Sequence, residues 1–312
     1  MLEAALIFAR FLHYGSLMVL FGASLFPIYS YTSERPIPFF EACWLSSLTL
    51  AASLVGLVSA VLWLALMAAM LTDSLSSAVN PQMISLILGR TEFGEVWVTR
   101  LCMSVLLSAA LMVWVGTPMV DRRSFQYAQA AAAAYLLASL AFIGHAQFHV
   151  GVAETIHSVS DAIHLLGAAA WFGALAPLGL ALQMLDHGEA TNNFDAKNAV
   201  RLMLRFSTLG YLALGVVTIT GLINSWFLVG SLNGLVETEY GRWLMVKVVL
   251  VVSLAVGVAT GRMTITPRLA AGKGPPGRWI RQVQGYVMVE QGAGLVIIAF
   301  AAVIGMLPPA AT

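Results

Sequence analysis

The sequence predicts an all-α fold, a polytopic transmembrane bundle of eight helices. Three observations lead there. Of its 312 residues, 59% are hydrophobic and only 10% are charged. Mean hydropathy is +0.85. The chain also contains seven stretches free of Asp, Glu, Lys and Arg, each about as long as a bilayer-crossing helix requires. A water-soluble domain carries roughly 25% charged residues to cover its surface, so this composition excludes a soluble enzyme, a disordered chain and a disulfide scaffold.

The charge-free stretches are 11–33, 42–72, 101–120, 124–153, 162–185, 206–236 and 291–312. An eighth apolar segment, 243–265, holds only Lys247 and Arg262. The expected spans are 4–30, 42–71, 97–117, 124–145, 156–185, 201–230, 242–265 and 284–308. The second is long enough to tilt or to project beyond the bilayer. Segment 81–89 is apolar but too short to cross, which predicts an interfacial or re-entrant piece. Ala130–Ala134 is a strong helix former. The chain reads as a single transmembrane domain, 1–312, and no repeat between its halves is strong enough to claim. The first segment lacks a basic n-region and is interrupted by Glu3 and Arg10, so it reads as a retained helix rather than a cleaved signal.

Loop charge predicts orientation. Arg35, Arg122, Arg123, Lys197, Arg201, Arg205, Arg262, Arg268, Lys273, Arg278 and Arg281 fall on one side, 11 of the 16 basic residues. Arg10, Arg90, Arg100, Arg242 and Lys247 fall on the other. The rule that basic loops stay in the cytoplasm puts both termini on the periplasmic side. The net charge of +1 points to no nucleic-acid partner. Cys43 and Cys102 fall at opposite faces, which argues against a disulfide between them.

Candidate chemistry is concentrated in the histidines. Four of six, His145, His149, His157 and His164, lie within twenty residues around the outward fourth-to-fifth connection. His145 and His149 are spaced i, i+4 and share a face if the fourth helix continues that far, a spacing that can chelate one metal. His157, Asp161 and His164 are spaced i, i+4, i+7 and fall on one stripe, which Ala168 and Trp171 extend inward. Imidazole suits copper, zinc, iron and nickel, and a carboxylate one turn away can ligate or orient a ligating ring. Asp161 lies below the outer boundary, where an unpaired charge is costly, so a partner is expected for it, and His157, His164 or a metal would serve. His13, on the first helix, lies at a depth comparable with His164 and could share its site, with Met1 and Met306 near the outer boundary. Thioethers favour Cu(I).

Other readings stand beside these. The cluster could be structural polarity, and His13 an interhelical hydrogen-bonder. His13 and His164 could be axial ligands of a haem. His187, beside Asp186 and Glu189, reads as solvated loop. The 14 methionines read mostly as core filler; Met67 and Met70 share a helix face, where a Cu(I) relay is the minor alternative. Glu290 and Lys247 are intramembrane charges on the eighth and seventh spans; their depths argue against direct pairing, and each suits a transport path or an ion pair. Arg10, Arg100 and Arg205, near helix ends, are expected to snorkel. No GxxxxGK[ST] loop, CPC motif, GxSxG elbow or HExxH is present, so no enzymatic activity is expected and transport would draw on a gradient or a partner.

The stretches RFLHYGSLMVLFGASLF at 10–26, HLLGAAAWFGALAPL at 164–178, RFSTLGYLALGVVTITGLINSW at 205–226, TEYGRWLMVK at 238–247 and the segment around Glu290 with its terminal Pro-Pro resemble the CopD/PcoD family of bacterial copper-resistance inner-membrane proteins. The resemblance runs along nearly the whole chain. It implies an inner-membrane location, a copper ion as cargo, in either oxidation state, and copper movement across the membrane, inward by preference. It also implies a separate periplasmic CopC-type copper-binding protein as donor. Matched position by position, His13, His145, Asp161, His164, Trp171 and Glu290 coincide with family positions, whereas His149 and His157 are more particular to this sequence.

Overall fold

The structure is a computed structural model that describes residues 1–31, 39–115, 117, 122–143, 151–186, 194–270 and 276–310. All regular structure among these residues is helical: α1 (Leu2–Ser30), α2 (Phe39–Thr72), α3 (Pro81–Arg90), α4 (Glu92–Trp114), α5 (Arg123–Ala138), α6 (Val152–Asp186), α7 (Phe194–Val229), α8 (Leu232–Glu237), α9 (Glu239–Ala270) and α10 (Pro276–Ile304). Eight of them are long and apolar enough to cross a membrane, and α5 reaches that length through a 3-10 turn at Ser139–Ile143. The expected all-α, eight-span architecture is therefore present. The reason is physical: in hydrocarbon, a backbone satisfies its own N–H and C=O groups only as a helix or a closed barrel.

Helix limits differ from the sequence expectation where caps override hydropathy. The third span opens at Glu92 because Thr91 caps it, its Oγ1 accepting the Gly94 N–H at 3.0 Å. The fifth span opens at Val152, after Gly151 takes φ +71°, a left-handed conformation that favours glycine. Segment 81–90 forms the short helix α3, with Pro81 in its first turn and the Asn80 side chain accepting from Gln82 N–H at 2.9 Å.

Helices α1 and α6 form the centre. α1 packs on α2, α5, α6 and α10; α6 packs on α1, α5, α7 and α10. The two cross where Gly22 meets Gly173. A Cβ on Gly22 would lie 2.1 Å from the Gly173 carbonyl carbon, and one on Gly173 would lie 1.8 Å from the Met18 oxygen. Small residues permit this approach, and close backbone packing is what holds helices together in lipid. The peripheral α9 turns Val248, Val249, Val252 and Val256 outward, as a lipid-facing helix must.

Arginines tie helix ends together. Arg123 donates to the carbonyls of Pro27 at 2.9 Å and Tyr31 at 2.5 Å. Arg205 donates to those of Tyr29 at 2.9 Å and Ser30 at 3.0 Å. Together they satisfy the orphan carbonyls at the C-terminus of α1 and complement its dipole. Arg10 donates to Gly305 O at 2.7 Å and lies over the Trp63 ring at 4.7 Å.

Candidate functional site

Two polar clusters lie against the central helices, one on each, the first partly buried and the second buried. The first is built on α6, where continuous helix brings His157, Asp161 and His164 onto the face toward α7. His157 stacks on Phe227, with ring centroids 5.1 Å apart and planes at 10°. Asp161 Oδ1 accepts from Asn224 Nδ2 at 3.2 Å. His164 Nδ1 faces Thr220 Oγ1 at 3.0 Å, and the Val217 carbonyl lies beside the ring. From α9, Lys247 lies within electrostatic range of both Asp161 and His164, and Tyr240 within range of Asp161.

The hydrogen-bond partner of Asp161 is thus an amide on the next helix, not the His157 or His164 ring that its own helix offers, with a cation on α9 nearby. Asn224 and Thr220 escaped the sequence reading; their only signal was polarity within an otherwise apolar span. Lys247 was recognised as an intramembrane charge, but its relation to Asp161 required the packing of α9 on α7.

The hydroxyl facing His164 fixes its chemistry. Thr220 gives its one hydroxyl proton to the Val216 carbonyl at 2.7 Å, so its Oγ1 accepts from His164 Nδ1–H, and Nε2 carries the lone pair. Among the described residues, nothing hydrogen-bonds that Nε2. An imidazole oriented through one nitrogen and open at the other is the arrangement that metal-ligating histidines adopt.

The second cluster surrounds His13 on α1. Its Nδ1 donates to Gly56 O at 3.1 Å and faces Ser59 Oγ at 3.1 Å, both on α2. Its Nε2 accepts from Arg100 Nη2 on α4 at 2.6 Å. Trp63 and Trp97 enclose the ring at centroid distances of 5.7 and 5.8 Å. Arg100 also donates to Ser139 Oγ at 2.5 Å and to the Leu136 carbonyl, and its guanidinium lies 5.2 Å from the Trp97 centroid. At 1% exposure it is the opposite of the snorkelling residue its place near a helix end suggested. The correction has a clear cause. Where α5 changes to a 3-10 turn, the Leu136 carbonyl and the Ser139 hydroxyl draw the guanidinium inward.

His13 and His164 therefore bond to different helices, α2 and α4 for one and α7 for the other. As placed, both nitrogens of His13 are engaged, and a metal or haem iron could reach Nε2 only by displacing Arg100. Among the described residues, no three His, Cys, Asp or Glu side chains stand close enough to hold a metal ion together. His145, His149 and His187 lie outside the described residues. Glu290 is buried on α10. Met306 Sδ contacts Arg10 Nη1 at 2.9 Å. Trp171 is buried on α6 among Phe26, Leu175 and their neighbours.

Comparison with known proteins gives concordant results. Residues 1–155 match the family model described as copper resistance protein D-like, N-terminal domain, and residues 200–304 match that of copper resistance protein D. The copper resistance protein D of Pseudomonas syringae pv. tomato is 28% identical, covering 96% of this chain and 95% of its own. The inner membrane protein YebZ of Escherichia coli (strain K12) is 27% identical over 99% of this chain and 100% of its own. The copper transport protein CutJ of Bacillus subtilis (strain 168) is 31% identical over 55% of this chain and 30% of that longer relative. No solved structure matches. None of these likenesses lends support to the haem alternative.

Proposed function

Because the chain belongs to the copper resistance protein D family, we propose that this multi-pass inner-membrane protein carries copper, its cargo, through a site at His164 and Asp161. The observation that carries this reading is the open Nε2 of His164 one turn from the Asp161 carboxylate, between α6 and α7, with α9 packed on α7 beside them. Imidazole nitrogen binds either copper oxidation state. The carboxylate offsets the cargo's charge, which a low-dielectric interior would otherwise repel. Lys247 competes with copper for the field of Asp161, so binding and release are linked to where that ammonium sits.

In this reading both termini face the periplasm. Copper arrives there from a CopC-type carrier, is received by His145, His149 and His157 around the connection between α5 and α6, and passes inward to His164. The basic-residue asymmetry supports the orientation. The names of the relatives, which speak of resistance and transport, support copper as cargo rather than a reacting substrate. The chain accordingly acts by binding and passage, without covalent chemistry.

The test is a copper titration of the purified protein against a chromophoric chelator, followed by copper flux into proteoliposomes. His164→Ala is expected to lose copper binding and flux, whereas His187→Ala retains both. Equal affinities in the two variants would remove the site assignment.

A further inference from the structure

The two histidine clusters share a plan. His13 is followed by Phe-Gly at 21–22 and His164 by Phe-Gly at 172–173, with seven residues between in each case. The two glycines of these motifs are the ones that touch at the α1–α6 crossing. At 1.5 Å per residue, both histidines stand roughly 13 Å along their helices from that crossing. Downstream, Thr91-Glu92-Phe93-Gly94 precedes Arg100, and Thr238-Glu239-Tyr240-Gly241 precedes Lys247, with identical spacing.

The local structures repeat too. Thr91 and Thr238 each cap the following span by accepting from the glycine N–H at 3.0 Å. Each also closes the preceding short helix by donating to a carbonyl four residues back, at 2.7 and 2.6 Å. A Cβ on Gly94 would lie 2.1 Å from Ile87 O, and one on Gly241 2.2 Å from Gly234 O. His13 faces a carbonyl and a hydroxyl three residues apart on α2, Gly56 and Ser59; His164 faces Val217 and Thr220 on α7. The packing follows suit. α1 on α2, α2 on α4, α3 on α4, α1 on α5 and α4 on α5 are repeated as α6 on α7, α7 on α9, α8 on α9, α6 on α10 and α9 on α10, while α1 on α10 mirrors α6 on α5.

We infer that the chain is two copies of one four-span unit, related by a two-fold axis along the membrane normal at the Gly22–Gly173 crossing, and that the His13 cluster is a second copy of the His164 site, closed to metal by Arg100. An even number of spans per unit gives parallel repeats with such an axis. The equivalent positions differ where it matters. Arg10 stands in place of Asp161 and Arg100 in place of Lys247. One cluster thus pairs a carboxylate with an ammonium, and the other holds two guanidinium groups. The forked guanidinium of Arg100 reaches His13 Nε2 and two α5 acceptors at once; a lysine presents a single ammonium and cannot span them. Arg100 is therefore a specificity-determining residue that leaves one of two equivalent sites competent.

This inference rests on the copper reading of His164, and the experiment separates the two. Cu(I) stoichiometry is measured on the full chain in detergent, anaerobically, for the wild type and Arg100→Lys. The expected result is one additional equivalent in Arg100→Lys, abolished by adding His13→Ala. A folded Arg100→Lys protein that binds the same nonzero equivalents of copper as the wild type overturns the inference and leaves the copper reading standing. A His13-dependent equivalent in Arg100→Lys with none in the wild type supports the inference while the copper reading of His164 fails; none in either overturns both. Lys247→Arg covers the case in which Arg100→Lys does not fold, because it keeps the charge and lies on a peripheral helix. It is expected to lower affinity at His164 by about tenfold or more, as displacement of an orienting contact does, with Lys247→Gln not reproducing the loss. Unchanged affinity in Lys247→Arg overturns the inference.

Discussion

At the scale of single residues, the decisive feature is which imidazole nitrogen is used. Both His13 and His164 donate through Nδ1 to the neighbouring helix, and at Nε2 they part: Arg100 occupies that of His13. Asp161→Asn tests whether the carboxylate orients and balances or is itself indispensable. The amide can still bond Asn224, so affinity for copper is expected to fall about 10–100-fold without vanishing, read by chelator competition. Arg100→Met tests the other cluster. It strips the donor from His13, Ser139 and the Leu136 carbonyl at once. A buried acceptor left without its donor costs about 1–3 kcal/mol, so a drop in Tm in detergent is expected.

At the scale of helices, contact between α1 and α6 depends on the absence of two side chains. Gly173→Ala places a methyl inside the Met18 carbonyl. Neither helix can yield without disturbing the arginine-capped end of α1, and overpacking of this kind costs about 1–3 kcal/mol or more. Gly15→Ala is the control, since nothing lies within 4 Å of its added Cβ. Thermal unfolding followed by size-exclusion should show loss of folded protein for the first variant and little change for the second. The caps at Thr91 and Thr238 do for α4 and α9 what the arginines do for α1, satisfying backbone groups that lipid cannot.

At the scale of the whole molecule, orientation and stoichiometry are linked. Parallel repeats put both histidines at the same height, which in the proposed orientation is the periplasmic half. A C-terminal alkaline phosphatase fusion is therefore expected to be active, and a C-terminal green fluorescent protein fusion dark; the reverse pair would invert the proposed copper path. The wider consequence of the pseudo-symmetry is that the central α1–α6 pair belongs to both units, so disturbance at Gly22 or Gly173 should reach both histidine clusters together.

Composition alone determined the all-α class and eight spans, because hydrocarbon admits little else and the required apolar length is read directly from the chain. The stripe of His157, Asp161 and His164 was equally legible, since helical periodicity fixes which residues share a face. Spacing could not reveal that Asn224, Thr220 and Lys247 complete that cluster, nor that Arg100 turns inward onto His13. Those facts depend on which helices become neighbours. The repeat also stayed hidden, because two short motifs in each half are too sparse to stand out from a background of interchangeable apolar residues. Only when Gly22 and Gly173 met at one crossing did the matching spacings acquire a common axis: contact between helices is set by small-residue fit and buried hydrogen bonds, and these are properties of pairs of segments, not of either one.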